Sequence, residues 1–139
     1  MDIPSILRNS KTVAVVGLSD KPERPSYDVA SYLMEHDYRI IPVNPNITEW
    51  RGHKAYPSLG AIPKGVVVDV VDIFRRSEDV EPVVGEAIAI KAKAVWMQLG
   101  VVNEAAAGKA RAAGLDVVMD RCMKIEHMRL AVAGRGDKE

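Results

Sequence analysis

Five short segments hold the residues best suited to chemistry: Gly17-Leu-Ser-Asp20, Asn44-Pro45, Asp72-Ile-Phe-Arg-Arg76, Gln98-Leu-Gly100 and Asp120-Arg-Cys122. Gly17 ends a β-branched run and opens a loop that leads toward a helix capped by Ser26. Free backbone N–H groups and the positive end of a helix dipole make such a place an anion site suited to phosphate. The Gly-x-Gly-x-x-Gly fingerprint is only begun, since Ser19 and Pro22 stand at its second and third positions. A glycine that merely turns the chain therefore stays open as the alternative. Lys21, Arg24, Arg75 and Arg76 lie in or beside these segments, and arginine grips phosphate in a bidentate fork. Their competing role is solvated loop charge, or for Arg76 a partner to Glu78 or Asp79.

The end of the second strand narrows the nucleotide. An NAD-binding unit places a carboxylate there, about 20 residues past its glycines, to hold the ribose hydroxyls. This chain has Val43-Asn44-Pro45 instead. The missing carboxylate argues against NAD and suits a nucleotide whose ribose carries a phosphate, as coenzyme A does.

Catalytic constellations are not recognisable. His36, His53 and His127 share no metal-ligand spacing, and Cys122 is the single cysteine, which excludes an internal disulfide and a multi-cysteine metal site. Cys122, Glu126 and His127 are the nearest thing to a nucleophile with a base; at i, i+4 the first two can touch on a helix. The commoner reading is a small buried thiol and a solvated acid. Catalytic and metal residues are accordingly expected to be none. Trp96 and Met97 are expected in the core rather than as a platform for a ligand.

These segments need elements to position them. Lys11–Val16, Tyr38–Val43, Val66–Phe74, Ala94–Gln98 and Asp116–Met119 read as strands buried on both faces. Between them fall a helix from Ser26 to near Asp37, a helix capped by Ser77 with a stripe of Val80, Val83, Val84, Ala87 and Ile88, and a helix over Asn103–Ala113. Ala55-Tyr56 reads as a short edge strand, Ser58–Ile62 as one helical turn, and Met123–Leu130 as a closing helix. Strands alternating with helices give an α/β fold, a doubly wound and mostly parallel sheet of five or six strands with helices on both faces. Ligands of such sheets sit outside the carboxyl ends of the strands, where strand order reverses, and all five segments fall on that edge. One domain is expected over residues 1–130, with 131–139 a flexible tail.

Composition agrees. The 139 residues balance 19 Lys and Arg against 19 Asp and Glu, so no net field draws the chain to nucleic acid or lipid. No apolar run approaches the roughly 20 residues that span a bilayer, and Met1–Asn9 lacks the pattern of a signal peptide, so a cytoplasmic protein is expected. A homodimer and an unidentified protein partner stay open.

Val16-Gly-Leu-Ser19, Arg24-Pro-Ser-Tyr27, Ile41-Pro-Val-Asn-Pro45, Val71-Asp-Ile-Phe-Arg-Arg-Ser77, Val95-Trp-Met-Gln-Leu-Gly100 and Met119-Asp-Arg-Cys-Met-Lys-Ile-Glu126 together resemble the small stand-alone CoA-binding proteins. That family has a Rossmann-type domain similar to the N-terminal domain of the succinyl-CoA synthetase α subunit, and the likeness runs in order from Val13 to Leu130. The resemblance implies CoA or acyl-CoA as ligand, with pyrophosphate on Gly17, Leu18, Ser19 and Asp20, near Asn44 and Pro45, and with the nucleotide and pantetheine beside Val71, Asp72, Ile73, Phe74 and Arg75. Lys21, Arg24, Ser26, Arg76, Gln98 and Gly100 complete the expected cofactor-binding set. The synthetase loop is richer in glycine and carries a lysine where Ile47 stands here. The expected function is a non-catalytic CoA carrier, sensor or regulator; the alternatives are a small enzyme using an acyl-CoA or a nicotinamide cofactor, and a nucleotide-independent scaffold.

Overall fold

The computed structural model describes residues 1–136. In chain order these form α1 (Ile3–Asn9), β1 (Thr12–Val16), α2 (Pro25–Glu35), β2 (Arg39–Val43), β3 (Glu49–Trp50), β4 (His53–Lys54), β5 (Val70–Ile73), α3 (Val80–Ala89), β6 (Ala94–Met97), α4 (Glu104–Ala112), β7 (Asp116–Val118) and α5 (Met123–Gly136). Five strands make one parallel sheet in the order β2-β1-β5-β6-β7, and β3 pairs with β4 in a separate antiparallel hairpin.

Each central strand is apolar at successive positions because both of its faces are covered. Val13 and Val15 of β1 join a cluster with Ile6 and Leu7 of α1, Val29 and Leu33 of α2, and Met123 of α5. Ala14 and Val16 face the other way, against Val80, Val84 and Ala87 of α3 and Ala106 and Ala110 of α4. Trp96 and Met97 are wholly buried, as core side chains.

Register then lays out the edge. Val16 is level with both Val43 and Ile73, and Ile73 is level with Met97. The residues after that row, Asn44, Gly17, Phe74 and Gln98, therefore emerge side by side at the carboxyl rim. Chain order reverses between β1 and β5, so Gly17 and Phe74 flank the switch point.

Several boundaries differ from the sequence reading. Ser26 does not cap α2: Arg24 is the N-cap residue and Pro25 takes the first helical position, which its ring geometry favours, moving Ser26 one step inside. Ser77 does not cap α3, because its hydroxyl accepts from the Val102 N–H at 3.0 Å and a single 3-10 turn over Ser77–Asp79 intervenes. The expected strand Val66–Phe74 begins only at Val70, since β1 starts at Thr12 and offers Val66 and Val67 no partner. Tyr56 makes one parallel bridge to Val43, and the local strands are the Glu49–Lys54 hairpin just before it. The last helix continues through Gly136 instead of ending at Leu130, over the helix-favouring Ala131-Val-Ala133. Residues 137–139 of the expected tail lie outside the described residues.

The opposite end of the sheet is fastened by Asp69. Its carboxylate accepts from the Lys11 and Thr12 N–H groups, each at 2.9 Å, and lies 3.3 Å from Lys93 Nζ. Burial pushes the Asp69 pKa up, but the two N–H donors and Lys93 outweigh it and leave it below the usual value. Asp69→Ala should lower unfolding free energy by about 2 kcal/mol, the scale for hydrogen bonds to a charged group. The loss is expected above the ordinary carboxylate pKa and should shrink as pH falls and the wild-type group protonates. Denaturant melts at neutral and acid pH check both statements, and an unchanged midpoint at neutral pH would contradict them.

Candidate functional site

Gly17 is the narrowest point of the rim. Its φ of +86° belongs to the left-handed region. A Cβ at this position would collide with the Phe74 carbonyl oxygen and come within 3.0 Å of Arg75 Nη1. A glycine is thus required on two counts, and the Arg75 guanidinium is held over the Gly17 backbone. The Gly17 and Phe74 N–H groups are spent on Val43 and Val16 carbonyls, which ties three strand ends together.

The loop after Gly17 is pinned from within the protein. Ser26 Oγ accepts from the Ser19 N–H at 3.0 Å, and Ser19 Oγ from the Lys21 N–H at 3.1 Å. Asn44 is buried, donating through Nδ2 to the Leu18 carbonyl at 3.0 Å and accepting through Oδ1 from the Asn46 N–H. Its amide braces β2 against the loop. Leu18, Val71 and Ile73 are wholly buried in the core, so they reach the rim through main chain alone. Gly17, Ser19, Asp20, Lys21, Arg24, Pro45, Phe74, Arg75 and Gly100 all have accessible surface.

Two adjoining cavities open along this edge. The smaller, about 340 Å³, is lined by Gly17, Ser19, Lys21, Arg24, Pro25, Ser26 and Phe74 at the start of α2. The larger, about 710 Å³, shares Pro25 and Phe74 with it and runs past Arg75, Gln98 and Cys122 to apolar Leu99, Val101 and Ile125. Among the described residues, Lys21, Arg24 and Arg75 make no ion pair. Arg76 does, with Asp79 at 2.9 Å and Glu78 at 3.5 Å, and this pairing holds its pKa above the ordinary value. Gly100 is set by its N–H, which donates to Asp120 at 2.7 Å.

The closing segment separates its three candidates for chemistry. Cys122 lines the larger cavity. Glu126 is not a solvated acid: its side chain is 11% exposed and pairs with Arg129 at 3.2 Å and Arg121 at 4.0 Å. His127 faces α2, where its Nδ1 lies 2.8 Å from the Tyr32 hydroxyl, and burial followed by the nearby His36 lowers its pKa. Among the described residues no group of three His, Cys, Asp or Glu side chains is placed to hold a metal. No described helix is long and apolar enough to cross a membrane.

Asp72 is the feature that sequence reasoning misjudged. It sits in the middle of the sheet between Val15 and Trp96, fully buried, and neither carboxyl oxygen has a hydrogen-bond partner. It lines neither cavity, although the strand period puts it on the same face of β5 as Phe74, which lines both. Desolvation drives its pKa well above the usual carboxylate range, against a small opposing effect of the Ile73 N–H.

A doubly wound parallel sheet with a glycine turn and two cavities at its switch point is a Rossmann-type α/β fold. The chain belongs to the CoA binding domain family, whose model matches residues 11–128. It is 44% identical over 126 residues to the protein YneT of Bacillus subtilis (strain 168), covering 91% of this chain and 92% of that one. A protein of Pyrococcus horikoshii OT3 superposes with a TM-score of 0.89 at 45% identity, covering 94% of this chain and 90% of its own. A Thermus thermophilus structure gives 0.87 at 35% identity, over 94% and 99%. The fold also matches part of the dinucleotide forming acetyl-coenzyme A synthetase 1 of Ca. Korarchaeum cryptofilum, with a TM-score of 0.71 at 24% identity, over 82% of this chain and 27% of that one.

Because burial raises the Asp72 pKa in the fold, the contribution of this group to stability is greatest below the ordinary carboxylate pKa and falls as pH rises and the unfolded chain ionises first. Asp72→Asn should abolish this decline. The stability of the variant relative to wild type is expected to improve steadily from about pH 4 upward. Urea melts across that range test it, and a difference independent of pH would contradict it.

Proposed function

We propose that this chain binds coenzyme A reversibly along the carboxyl rim of the sheet and acts as a non-catalytic carrier, sensor or regulator, in a cytoplasmic setting. The observation that carries the reading is the cleft at the β1–β5 switch point, where a cavity lined by Lys21 and Arg24, cations unpaired among the described residues, adjoins a larger one with an apolar wall. CoA has the matching polarity, with three phosphates at one end and a pantetheine arm at the other. In this reading the pyrophosphate lies over the turn Gly17, Leu18, Ser19 and Asp20, whose Gly17 and Ser19 N–H groups brace the turn itself, with charge from Lys21, Arg24 and Arg75. Asn44 and Ser26 act by holding that loop, and Pro45 borders the nucleotide. Phe74 divides the cavities, and Gln98 and Gly100 line the pantetheine end. Arg76 lies beside the site with its charge offset, since its guanidinium is engaged by Asp79 and Glu78.

Membership of the CoA binding domain family supports this ligand. So does the end of β2, where Asn44 offers no carboxylate for a free ribose. A binding role is favoured over acyl transfer because His127 is held by Tyr32 and Glu126 is paired with Arg129 and Arg121.

Isothermal titration should give saturable binding of CoA and none of equimolar NAD. Arg75→Ala is expected to weaken CoA by about 1.5–3 kcal/mol, as for a hydrogen bond to a charged group, without comparable loss of fold stability. NAD binding in place of CoA would defeat the ligand assignment, and unchanged CoA affinity in Arg75→Ala would return Arg75 to solvated charge.

A further inference from the structure

The larger cavity holds one polar group whose bonding is incomplete. Gln98 is only 5% exposed, and its Oε1 accepts from the Met123 N–H at 3.0 Å. That bond fixes the orientation of the amide, leaving Nε2 with no partner among the described residues, in a side chain that lines the cavity. Nε2 is not among the wholly buried unpartnered atoms, so it keeps surface of its own and is free to meet a ligand acceptor. Arg75, Arg76 and Asp79 line the same cavity, and its apolar wall is made by Val29, Phe74, Leu99, Val101 and Ile125. Leu99 is 66% exposed and Ile125 42%, so large aliphatic groups stand uncovered at the rim of the cavity that Gln98 also lines. The volume, about 710 Å³, is that of a pocket for a substantial small molecule.

A carbonyl joined to an aliphatic chain satisfies both demands, and a bare thiol satisfies neither. We propose that the physiological ligand is a CoA thioester, its carbonyl oxygen accepting from Gln98 Nε2 and its acyl chain lying over Leu99, Val101 and Ile125. This rests on the CoA reading above and extends it from the nucleotide to the acyl group. Phosphate contacts at the Gly17 loop hold every CoA species alike, so discrimination falls to the far end of the cleft. The pantetheine arm has amide carbonyls of its own; if these engaged Gln98, free CoA and its thioesters would bind equally.

The experiment is isothermal titration of the whole chain with CoA, acetyl-CoA and hexanoyl-CoA. Each methylene buried tightens binding about fourfold, so hexanoyl-CoA should bind at least about tenfold tighter than CoA, with acetyl-CoA between. Gln98→Glu keeps an acceptor for the Met123 N–H and removes the donor, and should lower the hexanoyl-to-free ratio severalfold by the loss of the carbonyl contact. Leu99→Ser, on the exposed rim, should lower the same ratio and serves alone if the Gln98 variant does not fold. Equal affinity for CoA and hexanoyl-CoA, or a ratio unmoved by the folded variants, overturns the proposal while leaving CoA binding intact. The same holds if sedimentation shows a ligand-independent dimer that Leu99→Ser disrupts, since a second copy then covers the apolar rim. Failure of every CoA species to bind defeats the underlying reading instead.

Discussion

Everything at the functional edge depends on how closely two strand ends approach one another. The backbone of Gly17 lies against the Phe74 carbonyl with no room for a Cβ, and this places the Arg75 guanidinium over the turn that leaves β1. Parallel pairing makes the approach inevitable, because Val16 and Ile73 occupy one row and the chain must leave the sheet from both at once. A side chain at position 17 would push the two loops apart, moving Arg75 and separating the smaller cavity from the larger. The site is therefore a consequence of sheet register before it is a matter of any particular ligand contact.

The second constraint is electrostatic. With 19 charges of each sign the chain has no net attraction for an anionic ligand, so attraction depends on which cations are left unpaired. Arg76, Lys93, Lys109 and Lys124 are all paired with carboxylates. Lys21, Arg24 and Arg75 are not paired among the described residues, and they surround the Gly17 loop. Burial disfavours the charged form of Asp72, which limits the negative charge that β5 adds beneath the rim.

The fold was largely legible because doubly covered strands have an unmistakable composition, and Val13–Val16 and Ala94–Met97 leave little other choice. The rim was legible for the same reason, since its residues follow those strands directly. Details that depend on partners far along the chain were not. Ser26 and Ser77 look like helix caps, yet each hydroxyl serves the N–H of another loop, Ser19 and Val102 respectively. Asn44 was read as a ligand contact, and its amide is used as a brace. The Glu49–Lys54 hairpin has two residues per strand, too few for periodicity to register. Gln98 was marked for its position, but its free donor shows only once Met123 is seen to occupy the other end of the amide.

Native mass spectrometry of the chain purified without added ligand tests the central claim most directly, because it reads the ligand's identity without assuming it. The account predicts a retained adduct with the mass of CoA or of a CoA thioester, lost on mild denaturation and restored by adding CoA. An adduct with the mass of NAD, or a protein that takes up no CoA even when it is supplied in excess, would contradict it.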